Sequence, residues 1–453
     1  MARIPDQIIE QVREAHDIVD VVGRAVQLKR AGAGYKGLCP FHDEKTPSFT
    51  VHPGRQTYKC FGCNKGGNVL TFVMETQGLS FPESVRQLAE ERGIQVPDSA
   101  AHDPQMDQRV EALRNALRCA HRFFVESLAS ADGAEARAYL RKRGYDEDAV
   151  KEFGLGYAPD SWDRLRLAAQ KAGVSERALD DAGLVRTRTK GDGFYDYYRH
   201  RIMFPIADAQ GRLVTFAGRA LDPEDPAKYM NGPETTVFKK SGVLYAYHRA
   251  REAIRRKGEA LLMEGYTDVL MCQLHGFENA VAGMGTAFTE RQAGLIRRVV
   301  DRVVLLYDAD SAGQSAAERA LEVLLEKGME VRIALLPEGR DVDEILLEEG
   351  PEALDAILAE SRDVFEFKLG LLGGKYDLAT PRGRAKASEE LVALATHVES
   401  AIERDQLLRT IAERLGGGPA SEAVLRKEAA RQMTRRRPGA PAASESGRPG
   451  GAG

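Results

Sequence analysis

Apolar residues recur along this chain with distinct spacings, and each spacing predicts a kind of element. Between residues 259 and 344 three apolar runs stand apart: Ala260-Leu261-Leu262-Met263, then 302–307, then 331–336. Short runs of this length, each followed by a helix-like stretch, have the spacing of strand-loop-helix units in a parallel sheet. Every run ends in acid. Glu264 follows the first, Asp308-Ala309-Asp310 the second, and Asp341-Val342-Asp343 comes a short loop after the third. Ligands of such sheets bind beyond the carboxyl ends of the strands, so these five carboxylates are expected to converge on hard cations, a magnesium site.

Period-two alternation appears in two other places. Residues 48–52 and 56–60 read as strands joined at Pro53-Gly54, and 202–206 and 212–217 as strands joined by Asp208-Ala209-Gln210-Gly211. Helical spacing covers 6–17, with Ile8, Ile9 and Val12 on one face, and 107–131, with Leu113, Leu117, Phe124 and Leu128. Asn68 is placed to cap a helix running to Thr76, and Pro82 to start another that stops at Gly93. Residues 355–430 also read as helical, with Leu391, Leu394, Leu407 and Leu408 as core. The polar, aperiodic stretch 96–106, with two prolines, predicts a linker. The segment 435–453, rich in Arg, Gly, Ala, Ser and Pro, predicts a disordered tail.

Composition sharpens this into a multi-domain α+β and α/β chain. At 453 residues, 43% hydrophobic and 29% charged, it has room for several cores. No apolar run approaches the roughly 18 residues of a membrane span, and the first residues lack a signal-peptide core, so a cytoplasmic protein is expected. Five cysteines do not make a disulfide framework, and Cys119 and Cys272 are expected to be buried thiols.

The net charge of −4 hides segregation. Residues 24–65 hold eight Lys/Arg against two Asp/Glu, and 185–260 fifteen against nine, whereas 259–360 hold eight against twenty-one. Basic flanks beside an acidic core suggest a polyanion path leading to a cation-filled site. Arg199, Arg201, Arg219, Lys228, Lys239 and Lys240 lie on or beside the second hairpin, where phosphates could be followed without reading bases; a solvated surface would look the same.

The most specific motif lies in the first basic window. Cys39-Pro40-Phe41-His42 and Cys60-Phe61-Gly62-Cys63 are ligand pairs, each with two intervening residues, separated by seventeen. Two such turns complete a tetrahedron around one zinc ion, and three sulfurs with one nitrogen leave no open position, so the site is structural. On this zinc ribbon Phe49 and Phe61 are expected in the small core. Tyr58 fits either the core or a stacking face for single-stranded bases beside Arg55, Lys59 and Lys65. Gly283-Met284-Gly285-Thr286 is too short for a dinucleotide fingerprint, and no P-loop occurs.

With these motifs in order the chain resembles the bacterial replicative DNA primases of the DnaG type, whose catalytic core belongs to the TOPRIM superfamily. The likeness spans about the first 430 residues. It rests on the ribbon pairs with Glu44-Lys45-Thr46-Pro47-Ser48-Phe49, on Arg201-Ile202-Met203-Phe204-Pro205-Ile206, on Lys228-Tyr229-Met230-Asn231, on Glu264-Gly265-Tyr266-Thr267-Asp268-Val269 and on Asp308-Ala309-Asp310-Ser311-Ala312-Gly313. The family's usual DGD reads Asp-Ala-Asp here, and its DPD reads Asp-Val-Asp.

The resemblance implies RNA primer synthesis on single-stranded DNA from ribonucleoside triphosphates by two-metal nucleotidyl transfer. Glu264, Asp308 and Asp310 would hold about two magnesium ions, or manganese, with Asp268, Asp341 and Asp343 as supporting acids. Arg199, Arg201, Arg219, Lys228, Lys239, Arg55 and Lys59 would bind template or nucleotide. The implied domains are a zinc ribbon (1–95), linker (96–106), basic part of the polymerase domain (107–258), doubly wound TOPRIM sheet (259–350), helical subdomain (351–434) and tail (435–453). The helicase-binding domain expected after about residue 430 is missing, which leaves contact with the replicative helicase in doubt. The chain is expected to act as a monomer at the replication fork, with no membrane partner.

Overall fold

Alternation around the first ligand pairs becomes a meander. Strands β1 (Lys29–Ala31), β2 (Gly34–Gly37), β3 (Phe49–His52), β4 (Thr57–Cys60) and β5 (Gly66–Gly67) lie in sequence order, each antiparallel to the next. The computed structural model describes residues 4–32, 34–96, 104–188, 192–285, 287–307, 311–337, 339–416 and 419–436. It divides into two units, residues 1–257 with 294–300, and residues 258–293 with 301–453.

In the first unit, one face of the meander carries a packed ring cluster. Phe41, Phe49, Tyr58 and Phe72 sit with centroids 5.2 to 6.1 Å apart, and Tyr58 is buried with Phe49, which decides its role as core. Phe61 is not core. It is 73% exposed, because Cys60 and Cys63 on either side of it turn toward the ligand cluster and leave the knuckle tip facing out. Two helices back the cluster. Val69–Gln77 is capped by Asn68, whose side chain accepts from the Thr71 N–H, and Phe81–Glu91 opens on a Ser80/Glu83 capping box.

The linker expected at 96–106 falls largely on residues 97–103, outside the described ones. The helix Pro104–Ala129 follows, with Leu113, Leu117, Phe124 and Leu128 all buried at helical spacing. It packs on a mixed-length antiparallel sheet. That sheet is built from β6 (Gly156–Ala158), β9 (Arg201–Ala207), β10 (Leu213–Ala220) and β11 (Tyr229–Asn231), in the order β11-β10-β9-β6, beside a separate hairpin of β7 (Val185–Thr187) and β8 (Phe194–Asp196). Gly156 is required by the packing, since a Cβ there would lie 2.8 Å from the Phe124 carbonyl carbon. The β9–β10 turn forms as its residues predict: Asp208 accepts from the Gln210 and Arg212 N–H groups, and Gly211 takes φ +80°. Cys119 on the long helix is half-buried rather than buried, one side of that helix facing solvent.

The second unit is organised by β12 (Ala260–Met263), β13 (Ala280–Ala282), β14 (Arg302–Tyr307), β15 (Glu330–Leu335) and β16 (Arg362–Asp363), in the order β13-β12-β14-β15-β16. The first four are parallel and β16 joins antiparallel at the edge. Like the two-residue edge strand β16, β13 is not predicted by the apolar pattern. It is three residues long and mostly alanine, a weak strand former. Tertiary pairing makes it: Asn279 donates through Nδ2 to the Glu259 carbonyl at 3.1 Å, and its own carbonyl accepts from Leu261 N–H. Cys272 is buried on the helix Tyr266–Leu274.

The helix Pro351–Ala359 leads into β16, and beyond the sheet come the helices Val364–Lys375, Pro381–Ala395, Ala401–Arg414 and Pro419–Arg436, which share a core of Leu372, Leu391, Val392, Leu408, Ile411 and Ala429. Leu394 is buried and Leu407 half-buried. Of the expected tail, residues 437–453 lie outside the described ones. Among the described residues no helix is long and apolar enough to cross a membrane.

Candidate metal centres and nucleic-acid surface

The ribbon brings its four predicted ligands together. The ligand atoms of Cys39, His42, Cys60 and Cys63 all lie within 4.8 Å of one another. The Sγ atoms of Cys39 and Cys63 are 3.8 Å apart, as are Cys60 Sγ and His42 Nδ1. A tetrahedron with zinc–sulfur bonds of about 2.3 Å has edges of about 3.8 Å, so the donor set fits zinc in size as well as in chemistry. Backbone N–H groups already point at the sulfurs. Phe41 N–H donates to Cys39, and those of Gly62 and Cys63 donate to Cys60. Burial works against the Cys60 thiolate, but the Ser48 hydroxyl and these two N–H groups outweigh it and bring the thiol down to about 6. Burial instead pushes the Cys39 thiol up to about 12. Glu44, which lies between the pairs, is held below the usual carboxylate range, chiefly by the Ser48 hydroxyl and N–H.

In the second unit the parallel register decides which acids share an edge. Leu262 of β12 stands opposite Leu305 of β14, and Tyr307 of β14 opposite Leu335 of β15. Glu264 therefore leaves β12 level with the end of β14, on strands spaced about 5 Å apart. Glu264 is exposed. Asp268 is half-buried on the first turn of Tyr266–Leu274, and its carboxylate folds back against Gly265, where a Cβ would collide with it. Asp341 is exposed at the N-cap of Val342–Glu348, whereas Asp343 is buried inside that helix. Asp308 and Asp310 lie outside the described residues. An all-carboxylate set of this kind suits a hard cation of the magnesium type.

The basic residues of the first unit divide into two groups. Arg201 and Arg219 are buried, 4% and 7% exposed, and serve the fold. The Arg201 guanidinium is paired with Asp225 and donates to the Ala227 carbonyl at 2.7 Å, which fixes the loop leading to Lys228. Arg219 lies between the rings of Tyr139 and Tyr229, 5.3 and 5.2 Å from their centroids, and donates to the Tyr229 hydroxyl. Lys228 and Lys239 are exposed, the latter 3.3 Å from Glu234. Lys240 is half-buried. On the ribbon Arg55 is exposed, and Lys59 donates to the Asn64 carbonyl at 2.7 Å.

Arg199 marks a feature the sequence reading missed. Its guanidinium stacks 3.8 Å from the ring of Trp162, which is 55% exposed, and the Tyr195 ring lies 5.3 Å from that of Trp162. Close by, Arg186 lies 4.5 Å over Tyr197. A recess of about 480 Å³, lined among others by Tyr195, Tyr197, Arg199 and Met230, opens beside them. Half-exposed rings already holding cations offer flat apolar faces and positive charge together, the two things a single-stranded base and its phosphate need. Trp162 sits alone in a polar loop, so no periodicity announces it.

Comparison with known proteins follows the same segments. Family models match residues 4–104 (CHC2 zinc finger), 123–251 (DNA primase catalytic core, N-terminal domain) and 261–346 (Toprim-like). A fourth, the DnaB-helicase binding domain of primase, matches residues 365–420. It corrects the expectation that a helicase-binding domain is missing. The matched stretch is the helices Val364–Lys375, Pro381–Ala395 and Ala401–Arg414, whose apolar positions are indistinguishable by spacing from ordinary core.

A DNA primase of Halalkalibacterium halodurans is 37% identical over 413 residues, covering 91% of this chain and 69% of its own length. The crystal structure of the Aquifex aeolicus primase zinc-binding and RNA polymerase domains aligns over 92% of this chain and 99% of its own, with TM-score 0.62 and 32% identity. A DnaG primase catalytic domain bound to single-stranded DNA covers 69% of this chain and 98% of its own, with TM-score 0.62 and 33% identity. Likeness of that extent, carried by sequence and backbone alike, places the chain in the bacterial DnaG-type DNA primases, nucleotidyltransferases of the RNA-polymerase kind.

Proposed function

We propose that this chain extends RNA primers on a single-stranded DNA template from the acidic edge of its parallel sheet. The carrying observation is the β12–β14 register, which sets Glu264 level with the strand end from which the Asp308-Ala309-Asp310 motif continues. Glu264, Asp308 and Asp310 would hold about two magnesium ions, with manganese as an alternative, and Asp268, Asp341 and Asp343 would support them. Bound there, divalent ions would neutralise the triphosphate and lower the pKa of the primer 3′-hydroxyl. Gly265 leaves Asp268 room to turn toward the strand end, and the burial of Asp343 suits it to bracing the loop rather than to touching substrate.

Template contact would fall to Arg199 with Trp162 and Tyr195 as a stacking platform, and to Lys228, Lys239, Arg55 and Lys59 along the phosphates. Arg201 and Arg219 would act by holding that surface in shape. The helices at 365–420 would engage the replicative helicase at the fork, in line with the family model they match. The domain limits 1–95, 107–258, 259–350 and 351–434 serve as the working division. The deciding experiment is Asp308→Ala: zinc content and unfolding should stay as in the wild type while ribonucleotide incorporation on a single-stranded template is lost. Primer synthesis at the wild-type rate in that variant would refute the assignment.

A further inference from the structure

Glu44 and Ser48 stand between the two ligand pairs and supply no ligand atom themselves, yet their side chains reach both halves of the zinc site. Oε1 of Glu44 accepts the Cys39 N–H at 2.8 Å and the Ser48 N–H at 3.0 Å. Oε2 accepts the Ser48 hydroxyl and lies 3.3 Å from His42 Nε2, within ion-pair distance of the ring. The same Ser48 oxygen is 3.2 Å from Cys60 Sγ. Glu44 is thus bonded to one ligand through its backbone N–H and, through Ser48, to a second by its sulfur, while its carboxylate stands beside the ring of a third. Its side chain is 10% exposed.

Chemistry fixes what the ring contact does. His42 turns Nδ1 toward the sulfurs, so a neutral, ligating imidazole must carry its proton on Nε2, and that proton needs an acceptor. Gly62 closes over the same edge of the ring. A Cβ on it would lie 2.6 Å from His42 Nε2 and 2.9 Å from the Ser48 hydroxyl, so the second knuckle is pressed against this carboxylate corner.

We infer that Glu44 is a positioning residue for zinc: with Ser48 as its relay, it fixes the tautomer and orientation of His42 and locks the two knuckles into one tetrahedral set. The inference goes beyond the polymerase reading and does not depend on it.

The test is Glu44→Gln in the full chain. The amide keeps an acceptor for the Cys39 and Ser48 N–H groups but sets an NH₂ against the His42 N–H. Zinc affinity, read by competition with a chromophoric chelator, should fall about 10- to 100-fold, and the visible spectrum of the cobalt-loaded protein should shift. When free zinc is raised in proportion to the lost affinity, the melting temperature should return to the wild-type value, which a residue with a merely structural role would not allow. Ser48→Ala, which keeps the carboxylate against His42, should lose several-fold in the same assay. Wild-type affinity in Glu44→Gln, a lowered melting temperature that zinc raised in proportion to the lost affinity does not restore, or Ser48→Ala indistinguishable from wild type would each overturn the inference.

Discussion

Replacing Asp225 with asparagine strips Arg201 of its counter-charge without changing shape. The two side chains are 5% and 30% exposed. Breaking a buried pair by removing one partner costs about 3–5 kcal/mol. Here the acid sees some solvent, and the Ala227 and Gly218 carbonyls, 2.7 and 3.5 Å from the Arg201 Nη1, remain as acceptors. The expected loss is therefore about 2 kcal/mol, or about 1 M in the urea midpoint for a slope of about 2 kcal/mol/M. The chain's single tryptophan, Trp162, lies in the same unit and reports its unfolding by fluorescence. Acid supplies a second check. The Asp225 carboxyl is held below its usual range, first by the Ala227 N–H and then, against some burial, by Arg201. A depressed folded-state pKa stabilises fully above the unfolded value of about 3.9 and loses that contribution as pH falls through the folded value. The gap between wild type and variant should be full at pH 7 and close only below about pH 4. An unchanged midpoint at pH 7, or a gap indifferent to pH, would refute the burial argument.

Trp162→Ala should weaken binding of a labelled single-stranded oligonucleotide by about 5- to 30-fold, the worth of one stacked base at about 1–2 kcal/mol, measured by anisotropy at fixed salt; equal affinity would dismiss the platform. Phe49→Ala should cost the ribbon about 3–5 kcal/mol, because it empties the centre of a ring cluster. Phe61→Ala, at the exposed knuckle tip, should stay within about 0.5 kcal/mol of wild type in the same thermal melts.

What could be read from the chain was whatever local chemistry decides. Ligand spacing alone assembles Cys39, His42, Cys60 and Cys63, and apolar runs alone announce β12, β14 and β15. Features that depend on a neighbour stayed hidden. β13 exists because Glu259 and Leu261 offer partners to Asn279, not because Ala280-Val281-Ala282 favours a strand. A count of charges finds Arg201 and Arg219 but not that Asp225, Tyr139 and Tyr229 draw them inward. Phe61 looks like core until the metal-facing side of its knuckle is known. The helicase-binding match has no signature beyond a helical period, since a docking surface needs shape rather than particular ligand atoms.

The edge strand β16 gives those matched helices an unusual footing. Arg362 and Asp363 pair with Ile333 and Arg332, and Asp363 then caps the helix Val364–Lys375 by accepting from the Phe365 N–H. No slack chain separates sheet from helix, so tension applied to the helix arrives undamped at β15. The pairing is two residues long and is reinforced by Arg332, which donates to the Ser361 hydroxyl and carbonyl. Two paired residues therefore tie the first matched helix directly to the edge of the parallel sheet, with Asp363 serving both the pairing and the cap.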